Sequence, residues 1–356
     1  MLRALDLAHG SVVLPSFMPD ATQAVVRSVD SADLERCGVE AVVMNAYHLL
    51  SRPGLGVATA LGGAHAMAGW SGPIITDSGG FQAYSILAEQ PKLGRVTDAG
   101  FTVRRPGGSR LALSPERCVQ VQWRLGADVI MCLDQCTHAD DPPELQETAV
   151  ARTIAWARRC RRTFDDLLAQ RSADDRPRPL LFAVVQGGAD LALRRRCCEA
   201  LLEIGFDGYG YGGWPLDGEG NLLLDALALV RELVPATLPL HALGVGHPLS
   251  LVDAAALGYG LFDCALPTRD ARRGRVYQQV SPPVAGQRDW LRMLFLTDER
   301  YIRDTAPIQD DCDCPTCTRY PRGYLHHLYR ADEPTFQRLC TLHNLRFLTR
   351  LTAALR

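Results

Sequence analysis

Lysine is all but missing from this chain. Lys92 is the only one in 356 residues, so nearly all positive charge is carried by guanidinium groups. Planar cations of that kind suit phosphates and base edges, although a GC-rich genome produces the same bias. Strong charge of either sign is also missing: the net charge is −2, with 22% charged and 47% hydrophobic residues, the make-up of an ordinary folded protein. No apolar run approaches the ~20 residues that span a bilayer, and the opening MLRALDLAHG does not read as a secretory leader. A cytoplasmic protein with no membrane partner is expected. The Gly-containing loop at 76–82 has no GxGxxG and no Gly-Lys-Ser/Thr ending, which argues against a nucleotide-phosphate loop there. Internal repeats and low-complexity tracts are absent too.

The charge that is present is unevenly placed. From Phe262 onward there are 15 Arg against 11 Asp plus Glu, so the tail is mildly basic and the front acidic. Twelve cysteines in a chain read as cytoplasmic point to thiols and metal rather than a disulfide framework. Three of them fall together at Cys312, Cys314 and Cys317.

At this length one large domain with an appendage, or two domains, is expected. Short apolar runs at 12–18, 41–45, 74–76, 128–133, 180–185, 208–212, 238–245 and 261–265 alternate with amphipathic stretches such as 144–169, 189–204, 221–233 and 248–257. Apolar-throughout runs suit parallel strands covered on both faces. The repeated order predicts a (β/α)8 TIM barrel, with a doubly wound sheet as the alternative. Barrel chemistry is built at the C-terminal strand ends, and these runs end in Asn45, Asp77, Asp134, Gln186, Gly212-Gly213 and Asp263. The Gly-rich stretch 86–113 is read as an insertion, with Gly107-Gly108 as a hairpin turn. The strand–helix rhythm stops after 273, so the chain divides into a barrel, 1–273, and a C-terminal subdomain, 274–356.

Phe262-Asp263-Cys264 delivers a carboxylate to a strand end, followed by Arg269, Arg272, Arg273 and Arg275. An acid beside a cationic loop suggests chemistry on an anionic polymer; a strand-end aspartate capping a turn is the plainer alternative. Cys312-x-Cys314-x2-Cys317 with His343 supplies four ligands of the kind zinc takes tetrahedrally, and a closed set is structural. His326 and His327 compete as ligands, but adjacent histidines on a helix suit a surface or capping role. In Asp77-Ser78-Gly79-Gly80-Phe81-Gln82 the glycines admit a ligand to the backbone and Phe81 offers a stacking face; a tight turn is the alternative. Asp134, Gln186 and Gly213 carry the acceptors and donors that a guanine edge requires. Gly208–Gly213 is otherwise a strand relieved of side chains. Gly244-Val245-Gly246-His247-Pro248 opens a helix whose N-terminus suits a phosphate.

Taken together, these pieces resemble the tRNA-guanine transglycosylases, or queuine tRNA-ribosyltransferases, of the bacterial type. The likeness is carried by Phe17-Met18-Pro19, Asn45-Ala46-Tyr47-His48-Leu49, Arg52-Pro53-Gly54, Asp77 to Gln82, Leu113-Ser-Pro-Glu116, Asp134, Val185-Gln-Gly187, Gly244-Val-Gly246, Phe262-Asp-Cys264, Pro267-Thr-Arg269, Tyr324-Leu-His-His-Leu328 and the zinc set. The resemblance implies a zinc-bearing (β/α)8 barrel that exchanges the wobble guanine of GUN-anticodon tRNAs for a 7-deazaguanine. It makes Asp263 the nucleophile and Asp77 the general acid/base, with Asn45 orienting Asp77. Ser78, Gly79, Gly80, Asp134, Gln186 and Gly213 would hold the base, and Phe81 and Leu243 would sandwich it. Gly244, Val245, Gly246, His247, Pro248, Leu249 and Ser250 would lie along the RNA, with Thr268, Arg269, Asp270, Ala271 and Arg272. Cys312, Cys314, Cys317 and His343 would hold one structural zinc ion per chain, and a homodimer is implied.

Two departures bear on the base. Gln135 stands where the family has Glu, and Trp214-Pro215-Leu216-Asp217-Gly218-Glu219 replaces a Leu-Ala-Val-Gly-Glu run. Both positions are expected to border the substituent at C7, so the inserted base stays open. The alternatives to an active transglycosylase are a non-catalytic accessory tRNA-binding subunit and a relative acting on another nucleic acid or with an altered base.

Overall fold

The structure is a computed structural model that describes residues 2–104, 108–172 and 177–356. Its centre is a ring of eight parallel strands: β1 (Ser16–Pro19), β2 (Val42–Asn45), β3 (Ile74–Asp77), β4 (Val129–Met131), β5 (Leu180–Val185), β6 (Gly208–Tyr211), β7 (Leu240–Ala242) and β8 (Leu261–Cys264). Hydrogen bonding runs β1-β8-β7-β6-β5-β4-β3-β2. A parallel bridge from Asp20 to Val43 joins the two ends, so the sheet closes on itself. The expected (β/α)8 barrel is the observed fold.

Side chains alternate across each strand, and the buried residues sort accordingly. Met18, Val43, Ile75, Val129, Met131, Phe182, Val184 and Leu261 form one apolar cluster with Leu5, Val12 and Leu14. Their strand neighbours Phe17, Val42, Met44, Ile74, Ile130, Ala183, Leu240, Ala242 and Phe262 belong to a second cluster, shared with the helices. The first set is the barrel interior, plugged from below by an N-terminal hairpin of Ala4–Leu7 and Gly10–Val13. At the hairpin turn, the His9 amide donates to Asp128 Oδ1 (3.1 Å) and His9 Nδ1 lies 2.8 Å from the same oxygen. His65 stacks on His9 with centroids 3.6 Å apart, its Nε2 3.3 Å from Asp128 Oδ2. The apolar run at 12–18 is therefore two strands, not one. Pro15 has no N–H to continue a ladder, so the chain leaves the hairpin there and enters β1.

Long helices flank the ring, among them Pro143–Ala169, Leu191–Ile204, Leu224–Leu233 and Pro248–Ala256. The stretch after β3 holds a helix, Gly80–Glu89, and an antiparallel sheet of Gly94–Thr97, Gly100–Arg104 and Arg110–Leu113. Gly107 lies outside the described residues, so the turn expected there is not described. Beyond the barrel come a hairpin (Arg275–Gln279, Leu291–Phe295) and the helices Arg322–Arg330 and Pro334–Ala354. The last helix packs on Leu266–Arg272 and on β1. Asn344 Nδ2 donates to the carbonyls of Pro267 (3.0 Å) and Arg275 (3.1 Å), and Leu345 and Leu348 share the outer cluster with Phe17. No helix among the described residues is long and apolar enough to cross a membrane.

Candidate active site

The alternation that fills the interior also aims the chemistry. Asn45, Asp77 and Asp263 lie two residues beyond the interior residues Val43, Ile75 and Leu261, and Gln186 two beyond Val184, so all point into the barrel mouth. Asp77 Oδ2 accepts from Asn45 Nδ2 at 2.7 Å, and Asp77 Oδ1 from the Gly79 amide at 3.2 Å. Asn45 is itself held as a helix cap, its Oδ1 taking the His48 amide. Burial pushes the Asp77 carboxyl up to about 7; the Gly79 amide works against that, and repulsion from Asp134, Asp263 and Asp20 adds to it. A proton is thus available there near neutral pH. Asp263 Oδ1 is gripped by His241 Nε2 at 2.9 Å and by the Gly244 amide at 3.2 Å.

His241 escaped the sequence reading because a lone histidine in an apolar run reads as core. Its neighbours Leu240 and Ala242 sit in the outer cluster, so parity turns His241 inward. It is fully buried and its Nδ1 has no partner. A buried N–H without an acceptor is costly, which places the ring proton on Nε2, donating to Asp263.

Asp134 follows β4. Its Oδ1 accepts from Ser78 Oγ at 3.2 Å and its Oδ2 from Gln186 Nε2 at 2.6 Å. Burial raises its carboxyl to about 6, those two bonds opposing. Gly80 is required here: a Cβ would sit 2.6 Å from the Asp134 carbonyl oxygen and 2.9 Å from Oδ1. Gln186 Oε1 is buried without a partner. The mouth therefore holds a carboxylate acceptor and a carboxamide whose Nε2 keeps a second N–H; Phe81, on the helix that follows Asp77, is 41% accessible.

Trp214 stacks beside Phe81 (6.2 Å, 22°) and lies tilted against His138 (5.7 Å, 31°), extending the aromatic wall outward. Its loop is tied internally, Asp217 Oδ1 taking the amides of Glu219 and Asn221 and Pro215 O taking that of Leu223. Gln135 is turned elsewhere: its Oε1 accepts from Arg152 Nη1 at 2.6 Å. Of the two departures from the family pattern, only Trp214 is seen to stack on Phe81.

The basic stretch behind Asp263 divides by face. On the helix Leu266–Arg272, Thr268, Asp270 and Ala271 are buried. Asp270 accepts from Tyr277 Oη at 3.0 Å, and Thr268 donates to the Ala265 carbonyl. These three support the helix rather than face outward. Arg269 and Arg273 are exposed. Arg272 is held down by burial and by repulsion from Arg27, Arg269 and Arg273, with Asp20 opposing, and its Nη1 is buried without a partner. Arg272 thus feels three other guanidiniums and one carboxylate, that of Asp20. Arg27, on a loop after β1, carried no sequence signal. Of 244–250, Gly244 is exposed and touches Asp263, Val245 and Pro248 are buried, and His247, Leu249 and Ser250 are half-buried.

Cys312, Cys314, Cys317 and His343 come together as the sequence predicted, all buried. The sulfurs lie 3.8, 3.8 and 3.2 Å from His343 Nδ1, close to the edge of about 3.5 Å for S and N ligands sharing a tetrahedral zinc. His343 Nε2 faces the Tyr277 carbonyl at 2.6 Å, which leaves Nδ1 free to ligate. The donor set and its spacing fit one metal ion. His326 is no surface residue: it is buried with Nδ1 2.9 Å from the Leu296 carbonyl oxygen.

Comparison with known proteins agrees with this geometry. A family model described as queuine tRNA-ribosyltransferase matches residues 2–356. The chain is 38% identical over 355 residues to a queuine tRNA-ribosyltransferase of Novosphingobium aromaticivorans, covering 99% of this chain and 89% of that one. It is 38% identical over 353 residues to that of Syntrophobacter fumaroxidans (99% and 88%) and 36% over 356 to that of Halothermothrix orenii (100% and 89%). With its strand-end carboxylates, its Cys3His cluster and its whole length alike, this chain belongs to the queuine tRNA-ribosyltransferase family.

Proposed function

We propose that this chain exchanges the wobble guanine of tRNAs with a GUN anticodon for a 7-deazaguanine, through a ribosyl ester on Asp263. The observation that carries the reading is the pairing, at one barrel mouth, of Asp263, gripped by two N–H donors, with Asp77, whose carboxyl holds its proton up to about 7. Asp263 attacks C1′, the C1′–N9 bond breaks, and its electron pair leaves with the base as Asp77 supplies a proton. The incoming base then gives its N9 proton to Asp77, N9 attacks C1′, and Asp263 departs as carboxylate. Two displacements retain the anomeric configuration.

In this reading Asp134 accepts from N1 and the exocyclic amine of the base, the second N–H of Gln186 Nε2 and the Gly213 amide donate to O6, and Phe81 and Leu243 sandwich the ring. A stacked anticodon base is out of reach, so the nucleotide is splayed into the mouth. Arg269, Arg272 and the newly found Arg27 hold the flanking nucleotides beside residues 244–250. The cluster in 274–356 holds one structural zinc ion, a closed four-ligand set with no open position, and steadies the barrel of 1–273. A homodimer finds support in an exposed aromatic face, where Tyr324 stacks on Tyr320 (5.2 Å, 19°) and neighbours His327 (6.3 Å). A substrate of this kind belongs to the cytoplasm.

The test is to incubate the protein with tRNA carrying labelled guanine and a panel of 7-deazaguanines. At least one base should release label, and a denaturation-resistant RNA–protein adduct should form. Asp263→Asn should abolish the adduct and keep tRNA binding; an adduct of unchanged yield overturns the nucleophile. Release by no base, from any tRNA, favours the accessory subunit or another nucleic acid. Presence of both Asp77 and Asp263 speaks against a subunit without chemistry.

A further inference from the structure

Arg194 is fully buried, on the helix Leu191–Ile204 that follows β5, and no carboxylate among the described residues pairs with it. Its Nε donates to the Gly188 carbonyl at 2.9 Å and its Nη1 to the Val185 carbonyl at 2.7 Å, while Nη2 is buried with no partner. The guanidinium carbon lies 3.8 Å from the centroid of the Tyr211 ring. Those two carbonyls flank Gln186, and Tyr211 leads into Gly212-Gly213. A Cβ on Gly213 would stand 3.1 Å from Gln186 Oε1 and 3.5 Å from Arg194 Nη2. The cation thus sits directly behind the Gln186–Gly213 pair.

A buried cation without a counter-charge is costly, and its neighbours supply none. The ionisable groups that feel it, Cys136, Cys197, Cys198, Tyr211 and Tyr259, are all pushed up by burial and stay neutral at pH 7. Asp134 also lies near Cys136 and Cys197, but its oxygens take Ser78 and Gln186 instead.

We propose that Arg194 is a positioning residue with an electrostatic role: it locks the turn that carries Gln186, and its unpaired charge stabilises negative charge on the base as the glycosidic bond breaks. This rests on the base pose proposed above. When the C1′–N9 electron pair goes to the base, the charge spreads through the ring to O6, the atom facing Gln186 and Gly213. A fixed cation behind those donors, in a dry site, acts mainly on the charged state and so on the barrier.

The experiment uses 8-azaguanine, whose ring ionises more readily than guanine and whose ultraviolet absorption reports the ionisation. It is bound to the zinc-loaded protein in an Asp77→Asn background, so that Asp77 does not titrate. The bound base should ionise at lower pH than the free base. Adding Arg194→Met should raise that pH by roughly one unit, a tenfold change in the ionisation equilibrium, and weaken binding of the ionised base more than binding of neutral guanine. Arg194→Lys should keep most of the shift. Bound ionisation at or above the free value with Arg194 present overturns the proposal without need of any Arg194 variant. An Arg194→Met protein with the parent's zinc content and Tm but an unchanged ionisation overturns it equally. Asp134→Asn is the separate arm: base binding that survives it sinks the pose itself, not the role of Arg194.

Discussion

The buried imidazole of His241 donates from Nε2 to Oδ1 of Asp263 across 2.9 Å, and its other nitrogen meets nothing polar. The bond fixes one carboxylate oxygen and, in the proposed mechanism, leaves the second to attack. His241→Ala or His241→Phe should slow adduct formation roughly 10- to 100-fold, the worth of a hydrogen bond to a charged group. His241→Gln, which keeps an N–H donor, should recover part of it. Single-turnover trapping with tRNA reads the rate; equal losses in Ala and Gln variants would leave only a packing role.

Asp77 sets a pH limit whose sign can be worked out. Its carboxyl, raised to about 7, carries a proton below that pH and has lost it above, so release of guanine should fall as pH rises through about 7. Asn45 donates to this carboxylate and so favours its charged form. Asn45→Ala should move the break upward by roughly half a unit to one unit. A break that stays put in the variant counts against Asp77 as the titrating group.

The same shift bears on stability. The folded state binds the Asp77 proton more tightly than the unfolded chain, so ionisation penalises folding from about pH 4 upward and in full above about 7. Asp77→Asn should therefore melt a few degrees higher than the parent at pH 8 and show no advantage near pH 4. Thermal melts at the two pH values check it; a lower Tm at pH 8 refutes it.

The metal cluster is coupled to the mouth by a short path. His343 is followed by Asn344, whose amide holds the carbonyls of Pro267 and Arg275, and Pro267 lies on the helix that presents Arg269 and Arg272. Cys317→Ser should lose zinc by metal analysis, lower the Tm and weaken tRNA binding, while free-base binding changes less. Full zinc retention would refute the ligand set.

Trp214 is predicted to decide what the base carries at C7. O6 and the C7 substituent share one edge, so a base whose O6 faces Gly213 turns C7 toward the next residue. Trp214→Leu should widen the set of deazaguanines that release labelled guanine, changing the ranking among bases by roughly tenfold or more, the worth of a methylene or more of pocket space, and should change guanine exchange itself less than the exchange of C7-substituted bases. An unchanged base preference would remove Trp214 from the pocket.

The barrel was legible because its strands are short apolar runs and its site residues sit at their ends, where parity and position agree. Single residues inside other patterns were not. His241 hides in an apolar run, and Arg194 opens an Arg-Arg-Arg run that looks like a solvated face, although only Arg194 is buried. Arg27 lies on a loop with no periodicity. The stretch 268–272 was read as one contiguous surface, but a helix cannot turn five successive residues to the same side. The run at 12–18 looked like one strand because both halves are apolar, for different reasons: one plugs the barrel and the other is part of its wall.

Closure of the ring joins β1, at residues 16–19, to β8, at 261–264, and the helix 334–354 then lies over β1. On a ribosome the first wall strand is thus made early and completed late. It keeps a free edge through most of synthesis, and contacts this distant in sequence form slowly. An unpaired edge is an invitation to aggregate. Nascent chains stalled before residue 261 should accordingly depend on chaperones, and the barrel becomes self-sufficient only once its tail has been released.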